Sequence, residues 1–294
     1  MRDEQLCQLI STRVHRPGDV AKIAAGRRRP VSLLGDHGKL MIIACDHPAR
    51  GAVRVGDRAL AMGDRVDLLD RLCAALARPG VNGVLGTPDV LEDLLLLGAL
   101  DGKVVVGSMN RGGLAGTAFE LDDRFTAYDA RSIASAGFEG GKMLLRIDPD
   151  DQGTVRTMAS AGRAVSELAE HRLMAMVEPF ISHRVDGRVR NELTAEAMIR
   201  AMGVAAGLGN TSAYTWLKVP IVPDMERVMA ATTLPSLILG GEAGTTRREQ
   251  DAALENWRRA VALPAVQGLV IGRSLLFPPD DDVAAAVDAA VELL

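Results

Sequence analysis

The stretch GKMLLRIDPDDQGTVRTMASAGRAVSELAEHRLMAMVEP at residues 141–179 contains the unit from which the fold is built. Two nearly continuous apolar runs, 141–147 and 173–179, flank a longer amphipathic segment at 154–170. Short apolar runs are typical of parallel strands that helices cover on both faces, and the segment between them is long enough for a crossover helix. The stretch therefore predicts a strand, a helix and a second, parallel strand.

The same alternation recurs along the whole chain. The predicted strands are 40–46, 81–86, 103–108, 141–147, 173–179, 214–220, 235–240 and 267–272. The predicted helices are 63–77, 89–100, 126–136, 154–170, 194–207, 224–231, 246–262 and 280–293. Eight such pairs over roughly 250 residues predict an α/β fold, the (β/α)8 TIM barrel. A doubly wound open sheet gives the same repeat, but no Gly-rich dinucleotide turn follows the first strand, which favours the barrel.

The predicted domain organisation is simple. Residues 1–39 are interpreted as an N-terminal helical extension, helical over about 4–25, with a basic linker at Arg27–Pro30. Residues 40–294 are predicted to form a single barrel domain. No low-complexity tract or composition shift divides this region.

Composition excludes several classes of protein. Of the 294 residues 48% are hydrophobic and 24% are charged, which is enough apolar material for a buried core. A net charge of −4 argues against a nucleic-acid binder, because affinity for phosphate backbones needs concentrated Lys and Arg. The longest apolar run, 94–100, is too short to span a membrane, and the start lacks the basic region of a secretory signal. Three cysteines are too few for a disulfide framework. We therefore predict a cytoplasmic protein with neither nucleic acid nor membrane as a partner.

Lysine is scarce here, since only five of the 34 basic residues are lysines. One of them, Lys218, lies at the end of the sixth predicted strand, between apolar neighbours. A lysine can lose its proton and act as a nucleophile, whereas an arginine cannot. At neutral pH this requires a pKa well below the ordinary value of about 10.4, lowered by burial and a nearby cation. Lys218 is thus a candidate Schiff-base nucleophile, and the alternative is a structural lysine paired with a carboxylate.

Three further polar residues lie at the predicted strand ends where barrels place their chemistry. Lys142, on the fourth strand, could be the cation beside Lys218, unless it points outward. Asp46 and Glu178, at the ends of the first and fifth apolar runs, could move protons during catalysis, or simply cap the following loops.

An anion site is predicted at the last two strands. Gly240 and Gly241 follow the seventh strand, and Gly272 and Arg273 follow the eighth, where barrels commonly bind phosphate. His47 is a weaker candidate for substrate binding. The segment 110–113 (NRGG) is interpreted first as a mobile loop and second as another anion contact.

The segment Trp216-Leu217-Lys218-Val219-Pro220 resembles the region around the imine-forming lysine of class I (β/α)8 aldolases, in the deoxyribose-phosphate, tagatose-bisphosphate and sulfofructose-phosphate aldolase superfamily. The resemblance spans residues 44–273 and is strongest to an aldolase-like branch associated with inositol catabolism. It implies that Lys218 forms the Schiff base, that Lys142, Asp46 and Glu178 are the accompanying catalytic residues, and that the loops at 240–241 and 272–273 hold a phosphate or sulfonate.

The chain also departs from that family pattern. The usual Ser-Ala-Gly turn after the seventh strand is Gly240-Gly241-Glu242, which adds a negative charge near the predicted anion site. The Lys-Val-Pro spacing is tighter than in tagatose-bisphosphate aldolase, and no tyrosine takes the strand-four position that serves archaeal-type enzymes as a proton donor.

The predicted function is a class I aldolase that needs no cofactor. It would reversibly cleave a keto-sugar, with a phosphorylated one favoured, into a small ketone such as dihydroxyacetone phosphate and an aldehyde. A homo-oligomer is expected.

Two alternative functions stay open. One is a divalent-metal-dependent carbon–carbon lyase with ligands from Asp46, His47, Glu178 and Glu242. The other is a non-catalytic sugar-phosphate sensor.

Overall fold

The computed structural model describes residues 3–35, 38–241, 244 and 246–294. The described residues form nine strands: β1 Leu40–Cys45, β2 Gly83–Gly86, β3 Val104–Ser108, β4 Gly140–Ile147, β5 Met174–Val185, β6 Arg188–Asn191, β7 Thr215–Val219, β8 Ser236–Leu239 and β9 Val266–Ile271. Eight of them are parallel neighbours in the order β4-β3-β2-β1-β9-β8-β7-β5, and β4 also pairs with β5. The sheet therefore closes on itself. The predicted (β/α)8 barrel is confirmed, and the open-sheet alternative is wrong.

Helices surround this barrel. Within the described residues they are α1 Asp3–His15, α2 Asp19–Gly26, α3 Arg65–Leu76, α4 Pro88–Leu96, α5 Ala130–Ser135, α6 Gln152–Glu170, α7 Ala195–Ala206, α8 Met225–Met229, α9 Arg247–Val261, α10 Arg273–Leu276 and α11 Val283–Val291. The last helix begins three residues later than predicted, because Asp282 caps it by accepting a hydrogen bond from the amide of Ala285. No helix in the described part of the chain is long and apolar enough to cross a membrane.

The N-terminal extension differs from the prediction in two ways. The expected single helix is two helices, α1 and α2, separated at Pro17-Gly18, where proline has no amide hydrogen to continue α1. Arg27, expected in a basic linker, is buried, and its Nη2 lies 2.9 Å from Oε1 of Glu139. Because Glu139 directly precedes β4, this ion pair fastens the extension to the N-terminal end of the barrel.

A hairpin extends the fifth barrel strand beyond the predicted boundary at 179. β5 continues to Val185 and pairs antiparallel with β6. The turn is Asp186-Gly187, with φ of 49° and 75°. Two positive φ values are typical of the type I′ turn, for which Asp-Gly is a preferred sequence. That dipeptide is the local signal from which the hairpin could have been predicted.

The barrel interior is apolar toward the N-terminal ends of the strands and polar toward their C-terminal ends. Its N-terminal half is apolar and includes Leu40, Ile42, Ala44, Leu85, Val104, Val106, Met174, Met176, Leu237 and Val270. Side chains alternate between the two faces of a strand, so the next inward positions are Asp46, directly after β1, and Glu178 on β5. Lys142 and Lys218 occupy inward positions on β4 and β7. The polar layer thus lies above an apolar floor, toward the C-terminal ends of the strands.

Candidate active site

Glu178 joins two lysines inside the barrel. Its Oε1 lies 2.7 Å from Nζ of Lys218, and its Oε2 lies 2.5 Å from Nζ of Lys142. All three residues are buried, with 2–8% of their surface exposed. Burying one charge without a partner is costly, and a carboxylate between two ammonium groups offsets that cost.

Strand order explains why these three side chains meet. In the barrel β5 lies between β4 and β7, so Glu178 on β5 faces Lys142 from one side and Lys218 from the other. The structure therefore places Lys142 inside the barrel, and the alternative of an outward-pointing lysine is wrong. Lys218 Nζ also faces the interior rather than bulk water or the helical layer.

The charges in this cluster depend on one another. Burial favours the neutral form of Glu178, yet Lys142 and Lys218 hold the pKa of this carboxyl well below its ordinary value. Burial lowers the pKa of Lys142 well below its ordinary value, against the attraction of Glu178, and the charges of Arg111 and Lys218 lower it further. Glu178 is thus ionised, and Lys142 loses its proton more readily than an exposed lysine does.

Asp46 forms a second carboxylate centre beside Lys142. Its Oδ2 lies 3.1 Å from Lys142 Nζ and accepts a hydrogen bond of 3.2 Å from the hydroxyl of Ser108. The same oxygen also accepts from Nη2 of Arg111. Lys142 consequently lies between two carboxylates, with Asp46 on one side and Glu178 on the other.

The segment 110–113 was expected to be a mobile loop, but the structure buries its first two residues. Asn110 exchanges two hydrogen bonds with the backbone of Leu144, at 2.6 and 2.8 Å. Arg111 donates from Nε to the Ser108 hydroxyl at 2.8 Å and reaches Asp46 with Nη2. Neither Arg111 nor Ser108 was predicted to contact the catalytic candidates. The available signal was their position directly at the C-terminal end of an apolar strand.

His47 lies next to this network. Its Nδ1 is 3.7 Å from Oδ1 of Asp46, which is too long for a hydrogen bond, and it has no hydrogen-bond partner within the described residues. Burial, followed by the charges of Arg273, Lys218 and Lys142, lowers the pKa of His47 well below its ordinary value. The imidazole is therefore neutral at neutral pH.

The predicted anion-site loops lie at the same end of the barrel, but their glycines also have packing roles. A Cβ on Gly240 would come within 2.6 Å of Ile271 Cγ2, and one on Gly272 would come within 2.2 Å of the Ala44 carbonyl oxygen. Gly241 has a φ of +70°, which favours glycine. Arg273 is the first residue of α10. Glu242 lies outside the described residues. Anion binding by these loops remains a prediction.

The described residues do not assemble the ligand set that the metal alternative needs. Within that part of the chain, no group of three or more His, Cys, Asp or Glu side chains is arranged to hold a metal ion. Asp46, His47 and Glu178 are close together, but both oxygens of Glu178 and Oδ2 of Asp46 face cationic side chains.

Comparison with known proteins gives the family. Residues 38–291 match the model of the Cgl0159-like family. The chain belongs to the Cgl0159-like family. The crystal structure of Cgl0159 from Corynebacterium glutamicum is 50% identical in sequence, with 100% of this chain and 97% of that chain covered and a TM-score of 0.96. No curated protein matches this member of the Cgl0159-like family.

More distant structures share the fold of this family. A Schiff-base-forming fructose-1,6-bisphosphate aldolase is 19% identical, with 93% of this chain and 99% of that chain covered and a TM-score of 0.62. An archaeal fructose 1,6-bisphosphate aldolase is 18% identical over 93% of this chain and 98% of that chain, with a TM-score of 0.64. At these identities the similarity establishes the barrel fold that the Cgl0159-like family shares with aldolases.

Proposed function

We propose that this protein is a class I aldolase that uses Lys218 as its Schiff-base nucleophile. The observation that carries the proposal is the pair of buried lysines on the two oxygens of Glu178, on the side of a barrel where such folds place their chemistry. The shared fold with a Schiff-base-forming aldolase supports it. A lysine with a purely structural role would need only one carboxylate partner. A second lysine on the same carboxylate is what a Schiff-base mechanism requires in addition, because a nearby cation favours the neutral form of the nucleophile.

Lys218 is the better nucleophile of the two lysines. Lys142 contacts carboxylates on both sides, Asp46 and Glu178. Among the described residues, Lys218 Nζ contacts Glu178 alone. Once deprotonated, an amine with one carboxylate partner has fewer contacts to break before its lone pair reaches a carbonyl carbon than an amine held between two carboxylates.

The proposed reaction follows from these positions. Lys218 Nζ adds to the ketone carbonyl carbon, and loss of water gives an iminium. A base then removes the proton of the hydroxyl on the fourth carbon, and the bond between the third and fourth carbons breaks. Its electron pair moves into the iminium to give an enamine, and the aldehyde leaves. The enamine is protonated at carbon, and hydrolysis releases the ketone and restores the lysine.

Asp46 is the better candidate for the base. Both oxygens of Glu178 are bound to lysines, whereas Asp46 receives its hydrogen bonds at Oδ2. No residue in the described part of the chain donates a hydrogen bond to Asp46 Oδ1. This carboxylate oxygen is therefore able to accept the hydroxyl proton.

The proposed substrate is a keto-sugar with an anionic end, with a sugar phosphate favoured. Arg273 and the loops at 240–241 and 272 would bind that end, and the sugar phosphates named for the aldolases of the same fold agree with this choice. The metal-dependent alternative is less well supported, because a divalent ion on Glu178 would have to displace at least one ammonium group.

Borohydride trapping tests the proposal. The wild-type protein is incubated with dihydroxyacetone phosphate and sodium borohydride, and intact-protein and peptide mass spectrometry locate the reduced adduct. We expect one adduct, on Lys218, and none in Lys218→Met. Lys103→Met is the matched control, because Lys103 donates to the Val81 carbonyl at the opposite end of the barrel.

Several results would contradict the proposal. An adduct on Lys142 would reassign the nucleophile. Absence of any adduct on folded wild-type protein across a panel of keto-sugar phosphates would contradict a class I mechanism. Turnover that EDTA abolishes would favour the metal-dependent lyase, and binding without turnover would favour a sensor.

A further inference from the structure

Arg111 lies in the polar layer beside Asp46 but is not one of the residues proposed to react. Its Nε donates to Ser108 Oγ at 2.8 Å, and its Nη2 donates to Asp46 Oδ2. Ser108 Oγ in turn donates to the same Asp46 oxygen at 3.2 Å. Resting on the proposed aldolase function, we propose that Arg111 is a positioning residue that holds Asp46 by Oδ2 and leaves Oδ1 to exchange protons with the substrate.

The geometry requires an arginine. One planar guanidinium reaches two acceptors, Ser108 and Asp46, from two different nitrogens, and Ser108 donates to the same Asp46 oxygen, so that Oδ2 is held from two directions. A lysine offers a single nitrogen and cannot make both contacts in one rigid arrangement. Arg111 is buried, and burial lowers its pKa to about 10, which still leaves the guanidinium charged at neutral pH.

Arg111 also places a permanent charge close to Lys142, since both donate to Asp46 Oδ2. The charged and titratable groups that surround Lys142 are Asp46 on the β1 side, Arg111 after β3, Glu178 on β5, Lys218 on β7 and the neutral His47. Between the two like charges, Arg111 and Lys142, only the lysine can lose its proton at neutral pH. Arg111 therefore favours the uncharged form of Lys142 as well as fixing Asp46.

A proton-transfer measurement separates this role from nucleophilic attack. In the enamine step a C–H bond next to the iminium carbon breaks, its proton goes to Asp46 Oδ1, the same oxygen that takes the hydroxyl proton during cleavage, and in D2O a deuteron returns to carbon. We would follow deuterium incorporation into dihydroxyacetone phosphate by NMR as a function of pH, and borohydride trapping on Lys218 in parallel.

We expect Arg111→Gln to trap the ketone on Lys218 but to exchange deuterium about 100-fold more slowly, because Asp46 is no longer held in place. The pH midpoint of exchange should rise, because Lys142 loses a positive neighbour. Arg111→Lys keeps the positive charge but loses the two-nitrogen contact. Its deuterium exchange should therefore be slow, with a pH midpoint near that of the wild type.

Arg27→Gln is the matched control, since Arg27 is also a buried, ion-paired arginine but lies at the opposite end of the barrel. Arg27→Gln should lower the unfolding temperature without changing the pH midpoint of deuterium exchange.

A wild-type rate and a wild-type pH midpoint of deuterium exchange in folded Arg111→Gln would overturn the proposal. If that variant does not fold, a wild-type rate in Arg111→Lys overturns it instead. Failure of wild-type protein to trap any ketone would show that the aldolase function itself is wrong, and the role of Arg111 would fall with it.

Discussion

Lys218 and Glu178 form a buried ion pair inside the barrel, with 2.7 Å between Nζ and Oε1. The pair lies above a floor of apolar side chains and below the loops at the C-terminal ends of the strands. Since Glu178 binds a second lysine with its other oxygen, we expect its charge to contribute both to the stability of the fold and to the proposed chemistry. Unfolding measurements and imine trapping separate these two contributions.

Stability should fall at acid pH because Glu178 takes up a proton in the unfolded chain while it stays ionised in the folded protein. Its folded-state pKa lies below the ordinary value of 4.5, so the carboxylate stabilises the fold above that pH, and the contribution is lost as pH falls further. In Glu178→Gln the free energy of unfolding should depend less steeply on pH between 5 and 3, by up to about 1.4 kcal/mol per pH unit. Urea unfolding at several pH values measures this slope. Glu226→Gln, at an exposed glutamate of α8, is the control, and equal slopes in wild type and Glu178→Gln would contradict the prediction.

Arg273 should determine affinity for an anionic substrate without being needed for imine formation. In Arg273→Ala the half-saturating concentration of dihydroxyacetone phosphate in borohydride trapping should rise about 10- to 100-fold, because a charge-assisted hydrogen bond contributes about 1.5–3 kcal/mol. At saturation the adduct should still form on Lys218. Arg248→Ala, at an exposed position of α9, should leave the concentration dependence unchanged. An unchanged half-saturating concentration in Arg273→Ala would remove Arg273 from the anion site.

Gly272 should tolerate no side chain. The Cβ of Gly272→Ala would lie 2.2 Å from the Ala44 carbonyl oxygen, so backbone must move where β9 ends beside β1. We expect a loss of about 1–3 kcal/mol in the free energy of unfolding, as for other overpacked sites. Gly203→Ala, at an exposed position inside α7 with no atom near the added Cβ, should instead stabilise by up to about 1 kcal/mol. Thermal unfolding of both variants tests the contrast, and equal unfolding temperatures would refute it.

The ion pair between Arg27 and Glu139 should hold the N-terminal extension on the barrel. Arg27→Met leaves Glu139 with only the exposed Arg29, 3.0 Å away, as an ionic partner, and we expect a loss of at most about 3–5 kcal/mol in urea unfolding. The exposed pair of Arg258 and Glu255 provides the control, since Arg258→Met should cost less than about 1 kcal/mol. Similar losses in the two variants would show that the extension is held by other contacts.

The barrel could be predicted because apolar periodicity is a local property of the chain. Strands such as 141–147 and 173–179 are nearly continuous apolar runs, and their helices have the complementary pattern. The same periodicity placed Asp46, Lys142, Glu178 and Lys218 near strand ends. The hairpin at Asp186-Gly187 lies beyond the predicted fifth strand because the apolar run ends at 179, although the turn sequence itself is a local signal.

The position of Arg111 beside Asp46 could not be identified from sequence, because an arginine followed by two glycines after a strand has the composition of a solvent-exposed loop. Its burial depends on Ser108 and Asp46, and Asp46 is 65 residues away along the chain. Likewise, Pro17-Gly18 is a local signal for the break between α1 and α2. The burial of Arg27 has no such signal, because it depends on the carboxylate of Glu139, 112 residues away along the chain.

By itself, the sequence determined the strand and helix pattern, the barrel class and the positions of the polar residues at strand ends, because side chains alternate with a period of two along each strand. Only the tertiary structure decided which of those residues touch. Glu178 meets Lys218 across 40 residues because β5 and β7 are neighbours in the barrel, and Lys142 meets Asp46 across 96 because barrel closure turns the inward side chains of β4 and β1 to one axis. Contacts between residues so far apart in sequence follow from strand order and register, which no local sequence pattern encodes.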